Sequence, residues 1–306
     1  MNNPYLSVVI VGRNDNYGVD FAERLSNFVE HLDYQIRDHP NLLELIIVEW
    51  NPLPENLSIK EILPKTNNLF LRVLTVDNET HLSVGNKIPV YEWYAKNAGG
   101  RRANGKFVLF TNPDILFTDE LITEFSKRRL NHNDYYRLDR YDFDSKGMSQ
   151  LPKDQWINFA IKNSFQAHVV NDIIPDGPKF NPVSSIWHLP KSIITNRSFH
   201  PSASGDFILV SKSSLEHIGG LFEDAKEIYH NDTISMVRLK YFNFRHITFS
   251  IPLCIFHQDH PRSERDGSWN MNKLVVYVTK CSKLGSTRGS DNWGLKHKQL
   301  IEWNNK

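Results

Sequence analysis

Short apolar runs alternate with helical patterns through the first half of the chain. From Leu6 to Val11 only Ser7 is polar, the pattern of a parallel strand buried on both faces. Phe21, Leu25, Phe28, Leu32 and Ile36 then recur at spacings of three and four with polar residues between, which predicts an amphipathic helix. Leu43 to Val48 predicts a second strand, stopped by Asn51, Pro52 and Pro54. A third strand is predicted over Leu69 to Val76, a helix over Tyr91 to Ala103, and a fourth strand over Phe107 to Phe110, ended by Thr111-Asn112-Pro113-Asp114. Strand and helix in alternation predict an α/β fold, a mostly parallel central sheet flanked by helices.

The second half is less regular. Residues 140–200 carry scattered Pro, Asn, Asp and Trp and read mostly as loops. Phe207 to Val210 predicts a strand, and Ser213 to Ile218 a short helix closed by Gly219-Gly220. Asp232 to Tyr241 predicts another helix, and Ile247 to Phe256 a strand interrupted at Pro252. Leu274 to Lys283 predicts one helix in a tail that starts at Trp269. No Pro-, Gly- or Ser-rich linker divides the chain. The reading is one domain over residues 1–268, with halves at 1–115 and 116–268 and a smaller second lobe, then a helical tail over 269–306.

Composition narrows the function. The 36 basic and 35 acidic residues nearly cancel, leaving a formal charge of +1, without the basic excess of a nucleic-acid binder. Apolar residues make up 40% of the 306 and aromatic residues 12%, enough for a large core and too much for a disordered chain. Two cysteines, Cys254 and Cys281, cannot form a disulfide framework or a four-cysteine zinc site, so a reducing cytoplasm is expected. The first residues carry no signal-peptide pattern, and the longest mostly apolar run, Ile247 to Phe256, is about half of what a membrane-spanning helix needs. Peripheral membrane contact stays open.

Ligands of open parallel sheets bind beyond the carboxyl ends of the strands. Gly12-Arg13-Asn14-Asp15 follows strand one, Glu49 ends strand two and Asn112-Pro113-Asp114 ends strand four. Strand one is not followed by Gly-x-Gly-x-x-Gly, and there is no Walker A lysine loop, so a diphosphate would need basic side chains or a carboxylate-held metal. A nucleotidyltransferase needs a richer glycine and basic loop than Gly12 to Asp15.

The run Ser7-Val-Val-Ile-Val11, Glu49, Lys96-Asn97-x-x-Gly100-x-x-Ala103-x-Gly105 and Asn112-Pro113-Asp114 resembles family 2 glycosyltransferases of the GT-A fold. The order continues with Ser204-Gly205-Asp206-Phe207, Gly219-Gly220-Leu221-Phe222-Glu223, His230-Asn231-Asp232 with Arg238-Leu239, and Phe256-His257-x-x-His260. The resemblance spans roughly residues 6–262 and implies an inverting transferase that moves a sugar from a nucleoside-diphosphate sugar, UDP favoured, to a glycan or other hydroxyl acceptor. It implies Asp232 as general base, with Asp224 as a competing candidate. It implies nucleotide-sugar contacts at Gly12, Arg13, Asp15, Glu49, Lys96, Asn97, Arg101, Arg102 and Asn112. Metal ligands follow at Asp114 and His257, and acceptor contacts at Gly205 and Asp206. His260, Arg262 and Ser263 are read as a loop over the donor.

Two positions depart from the family pattern. Asn112 stands where the first metal-motif aspartate is expected, and Asn231 where a glutamate precedes the base. Asn112 brings a carbonyl but no charge. One nitrogen ligand among oxygens favours Mn2+ over Mg2+. The loss of a carboxylate keeps a metal-independent transferase as an alternative, and a non-catalytic sugar-binding module is a second. Each acid also has a plain reading: Asp114 as a turn residue, Asp232 as a helix cap, His257 as a core histidine.

Overall fold

A computed structural model describes residues 3–168, 204–223, 231–261 and 283–306. Strand β1 (Leu6–Gly12) is buried at every position because it lies between two parallel neighbours with both faces covered. Those neighbours are β2 (Leu43–Trp50) and β4 (Phe107–Phe110), and β3 (Phe70–Val76) continues the parallel set beyond β2. Helix α1 (Phe21–Gln35) follows β1; its Phe21, Leu25, Phe28 and Leu32 pack on one face of the sheet with Val8, Ile10 and Leu45. The other face buries Val9, Val11, Ile46 and Val48 under α4 (Glu92–Arg101). Between these lie α2 (Ile59–Ile62) and α3 (Asn78–Val84), two short helices that the apolar pattern does not predict.

Helix α4 lies close against the strands. A Cβ on Gly99 would sit 2.5 Å from Val9 Cγ1, and one on Gly100 2.7 Å from Phe110 Cζ. Gly105 similarly abuts the Ser7 backbone. These glycines are therefore required by packing at the sheet surface.

The main sheet has eight strands in the order β10-β6-β9-β4-β1-β2-β3-β12. Strand β9 (Ile208–Ser211) runs antiparallel to both β4 and β6 (Asp134–Arg137), and β10 (Arg245–Thr248) lies parallel to β6. Helix α7 (Lys212–Ile218) follows β9, capped by Ser211 and ended by Gly219 at φ 71°. Helix α8 (Asn231–Tyr241) precedes β10.

A second sheet, β5-β11-β7-β8, stands beside the first. It joins β5 (Ile115–Phe117), β7 (Asp139–Phe143), β8 (Ser164–His168) and β11 (Cys254–Gln258), with α5 (Asp119–Ser126) after β5 and α6 (Trp156–Asn163) before β8. Its apolar face, with Tyr141, Phe143, Phe256 and Trp156, forms a separate core. This corrects the loop reading of 140–200: residues 140–168 contain strand, helix and strand, while 169–200 lie outside the described residues. The single strand expected over Ile247 to Phe256 is two strands in different sheets. The tail also differs from expectation. Its predicted helix over Leu274 to Lys283 lies almost wholly outside the described residues, and β12 (Ile301–Asn304) adds antiparallel to β3 at the sheet edge. Among the described residues no helix is long and apolar enough to cross a membrane.

Candidate active site

The carboxyl ends of β1 and β4, the start of β9 and the end of β11 meet at one edge of the fold. Asp114, in the turn between β4 and β5, is 7% exposed. Its Oδ2 lies 3.2 Å from His260 Nε2 and 3.6 Å from His257 Nε2, and the three side chains place ligand atoms within 4.8 Å of one another. The backbone supports this arrangement: Asp114 O accepts from Gln258 N at 2.9 Å, and the buried Gln258 amide binds Asn27 of α1 and the Arg24 carbonyl.

Burial alone would raise the Asp114 pKa, but the His257 and His260 rings outweigh it and hold the carboxyl well below the usual range. Burial would lower that of His257; Asp114, joined by Asp142, pushes it up instead. Each group thus favours the charged form of the other. The Asp114 Oδ1 atom is buried and has no hydrogen-bond partner among the described residues. An orphaned carboxylate oxygen beside two imidazoles is a donor set that fits a divalent ion of intermediate softness. Loading requires His257 to release its proton.

A polar chain leads from this cluster across the site. His257 Nδ1 lies 3.2 Å from Asp142 Oδ1. Arg140 pairs with Asp142 through Nε at 2.8 Å and Nη2 at 2.9 Å, and donates from Nη1 to Asp206. Asp206 Oδ1 accepts from Asn112 Nδ2 at 2.6 Å. Asn112 Oδ1 accepts from Lys96 Nζ at 3.0 Å, and the same amine reaches Gly205 O at 2.8 Å and Glu92 Oε1 at 2.7 Å. Gly205 N donates to Asp232 Oδ2 at 3.1 Å. Asp232 is the second residue of α8, inside the first turn and not at the cap position that its plain reading gave it.

The residues expected at the donor separate into three groups. Gly12 is the buried last residue of β1, and Arg13 and Asp15 follow it; Arg13 donates to Pro89 O at 3.3 Å and faces Asp15 at 3.7 Å. Lys96 and Asn112 lie in the site, yet all three donors of the Lys96 ammonium have acceptors inside the protein, and Asn112 turns to Asp206 and not to Asp114. The remaining four are engaged elsewhere. Glu49 is 2% exposed and accepts from Ile59 N and Thr75 Oγ1, so it secures α2 and β3 where a base or ribose contact was expected. Asn97 is directed to the turn after α7, binding Leu221 N and O and Glu223 Oε2. Arg101 and Arg102 sit at the far end of α4, toward the amino ends of the strands, bonded to carbonyls of Trp293, Gly294, Leu295 and Lys298. Their cations hold the C-terminal segment and are remote from the Asp114 cluster. Asp224, Arg262 and Ser263 lie outside the described residues.

Sequence reading missed Arg140 and Asp142. The signal was Asp139-Arg140-Tyr141-Asp142-Phe143, whose period-two alternation of polar and aromatic residues marks a strand with one face on a core. It also understated His260, which packs under the loop after β1: Gly18 at φ 68° leaves room for the ring, and a Cβ there would lie 2.3 Å from Nδ1.

Neither a family model nor a curated protein matches the sequence. Solved structures do match the fold. The S. aureus TarS 1–349 structure in complex with UDP-GlcNAc aligns with a TM-score of 0.53 at 15% identity, over 90% of this chain and 66% of that one. A second TarS 1–349 structure gives 0.50 at 15% identity, over 82% and 60%. The mannosyltransferase PcManGT from Pyrobaculum calidifontis, in complex with GDP-Man and Mn2+, gives 0.50 at 12% identity, over 94% and 74%. This chain therefore spans about two thirds or less of the TarS chains it matches. The shared architecture is the GT-A-type fold, a mostly parallel central sheet flanked by helices.

Proposed function

We propose that this chain is an inverting, nucleotide-sugar-dependent glycosyltransferase working in the cytoplasm on a glycan or other hydroxyl acceptor. The observation that carries the reading is the Asp114, His257 and His260 cluster at the carboxyl edge of a GT-A-type sheet. Structures of similar fold hold UDP-GlcNAc in one case and GDP-Man with Mn2+ in another. UDP is the favoured nucleotide.

The three residues of the cluster would hold Mn2+, or Mg2+ less well given two imidazoles. A divalent ion there supplies positive charge where a leaving diphosphate gathers negative charge. The chain's own groups do the rest. Asp232 accepts the proton of the acceptor hydroxyl, whose pKa lies far above neutrality, as that oxygen attacks the anomeric carbon. The bond from that carbon to the diphosphate oxygen breaks on the opposite face. Gly205 N–H fixes one oxygen of Asp232, and Arg140 fixes Asp206 beside it for contact with the acceptor.

Thermal unfolding with UDP, GDP and dTDP, each with Mn2+ or a chelator, tests the reading. A ligand at 100 times its Kd adds about 2.7 kcal/mol. The expected result is stabilisation by UDP that needs Mn2+. The Asp232→Asn variant should then keep that shift and lose most turnover; turnover near wild type would remove Asp232 from the mechanism. One observation favours a metal-independent transferase as the second reading: two histidine rings already lie against Asp114 Oδ2, and Asn112 brings no charge. Equal stabilisation in chelator would select it.

A further inference from the structure

We infer that Asp142, clamped by Arg140, is a positioning residue that sets which nitrogen of His257 faces the Asp114 cluster. The inference rests on the metal reading above and adds Asp142, which that reading does not use. Parallel pairing puts Asp142 directly beside His257 in register, so the two side chains share one face of the second sheet. The opposite face is apolar, with Tyr141 and Phe256 in the core. Asp142 is 1% exposed and His257 4%, so water does not compete for either.

The contact geometry is one-sided. Nδ1 of His257 faces Asp142 Oδ1 at 3.2 Å, whereas Nε2 faces Asp114 Oδ2 at 3.6 Å. Nδ1 is at ion-pair distance from that oxygen but off the line of a hydrogen bond. A carboxylate beside Nδ1 keeps the proton there when the ring is neutral and leaves the Nε2 lone pair directed to Asp114 and His260. Asp142 is itself fixed. Two nitrogens of Arg140 pair with its two oxygens, and His168 Nε2 lies 3.2 Å from Oδ2. The Nη2 contact is a hydrogen bond and the Nε contact an ion pair, and together they hold the carboxylate at both oxygens. The third contact of Arg140, to Asp206, makes one guanidinium the common support of the metal-side histidine and the acceptor-side acid.

Mn2+ binding to the purified full chain, read by electron paramagnetic resonance of the free ion, tests this against melting in chelator as the fold control. Asp142→Asn should weaken Mn2+ binding 10- to 100-fold. Should that variant fail to fold, the wild type supplies the test: with diamagnetic Zn2+ bound, ring 15N shifts should show His257 protonated at Nδ1 and ligated through Nε2. Binding within about twofold of wild type in a folded Asp142→Asn protein, or ligation through Nδ1, overturns the inference while leaving the metal site standing. Absence of Mn2+ and Zn2+ binding in wild type overturns the metal reading itself, and the inference with it.

Discussion

Lys96 shows what a single residue does when its neighbours are known. In sequence it is a cation near a diphosphate-binding segment. In the structure it is fully buried, its ammonium stacked 4.8 Å from the Trp93 ring, and it joins the end of β4 to the segment before β9. Lys96→Met leaves the Asn112 and Gly205 oxygens without their donor. Unpaired buried acceptors cost roughly 1–3 kcal/mol each, so the loss should be about 3 kcal/mol in urea unfolding at unchanged slope. A change under 0.5 kcal/mol would show that the bridge is not formed. Asn112 and Asp114 make the complementary point. Only a proline separates them, yet one joins the Asp206 network and the other the histidine cluster. In extended backbone residues i and i+2 would share a face, so the divergence comes from the turn at Pro113 and Asp114, where the chain passes from β4 to β5.

At the scale of elements, α4 is held to the sheet by small residues and not by ligand contacts. Gly99→Ala separates the two effects by sign. Helix propensity alone predicts a gain of about 1 kcal/mol. The Val9 contact at 2.5 Å and the Val48 contact at 3.0 Å predict overpacking and a net loss of about 1–3 kcal/mol in chemical denaturation. Much of the element pattern was readable. The strands β1 to β4 and helix α1 fall where mostly apolar runs and three-four spacing put them, because burial on both sheet faces leaves few polar positions, such as Ser7, Glu44 and Arg72, to confuse the period. Strand β7 was missed because its Arg140 and Asp142 face a polar site and look like loop residues unless the alternating Tyr141 and Phe143 are read as a core face. Strand β12 is exposed at all four positions, and sequence periodicity carries no burial signal there.

Glu223 belongs to the whole molecule because it ties distant segments together. It accepts from Asn97 in α4 at 2.7 Å and from Gly294 N near the C-terminus at 3.1 Å, while preceding α8 in the chain. Burial pushes its carboxyl up to about 7 against the opposing pull of those donors. A folded pKa above the ordinary 4.5 means that the stabilising protonated form prevails at low pH and is lost as pH rises toward 7. Glu223→Gln keeps an acceptor and removes the charge. Its melting temperature should match wild type near pH 4.5, rise above it between there and pH 7, and stay higher beyond. Parallel melting curves across that range would place the titration elsewhere.

The sequence by itself determined the strand–helix alternation, the parallel sheet and the places along the chain where ligand-facing residues can stand. It did so because periodicity is a local consequence of burial, and because the carboxyl edge of a parallel sheet is fixed once the strands are. Only the tertiary structure decided which polar residues face the site. Arg101, Arg102, Asn97 and Glu49 have the right chemistry for a nucleotide, but their hydrogen bonds hold the C-terminal segment, the turn after α7 and helix α2. Arg140 reaches Asp206 across 66 positions, Asp142 stands beside His257 by sheet register, and His260 reaches Asp114 across 146 positions. Hydrogen bonds are directional and short, so partner choice depends on the packed geometry and cannot be read from residue type.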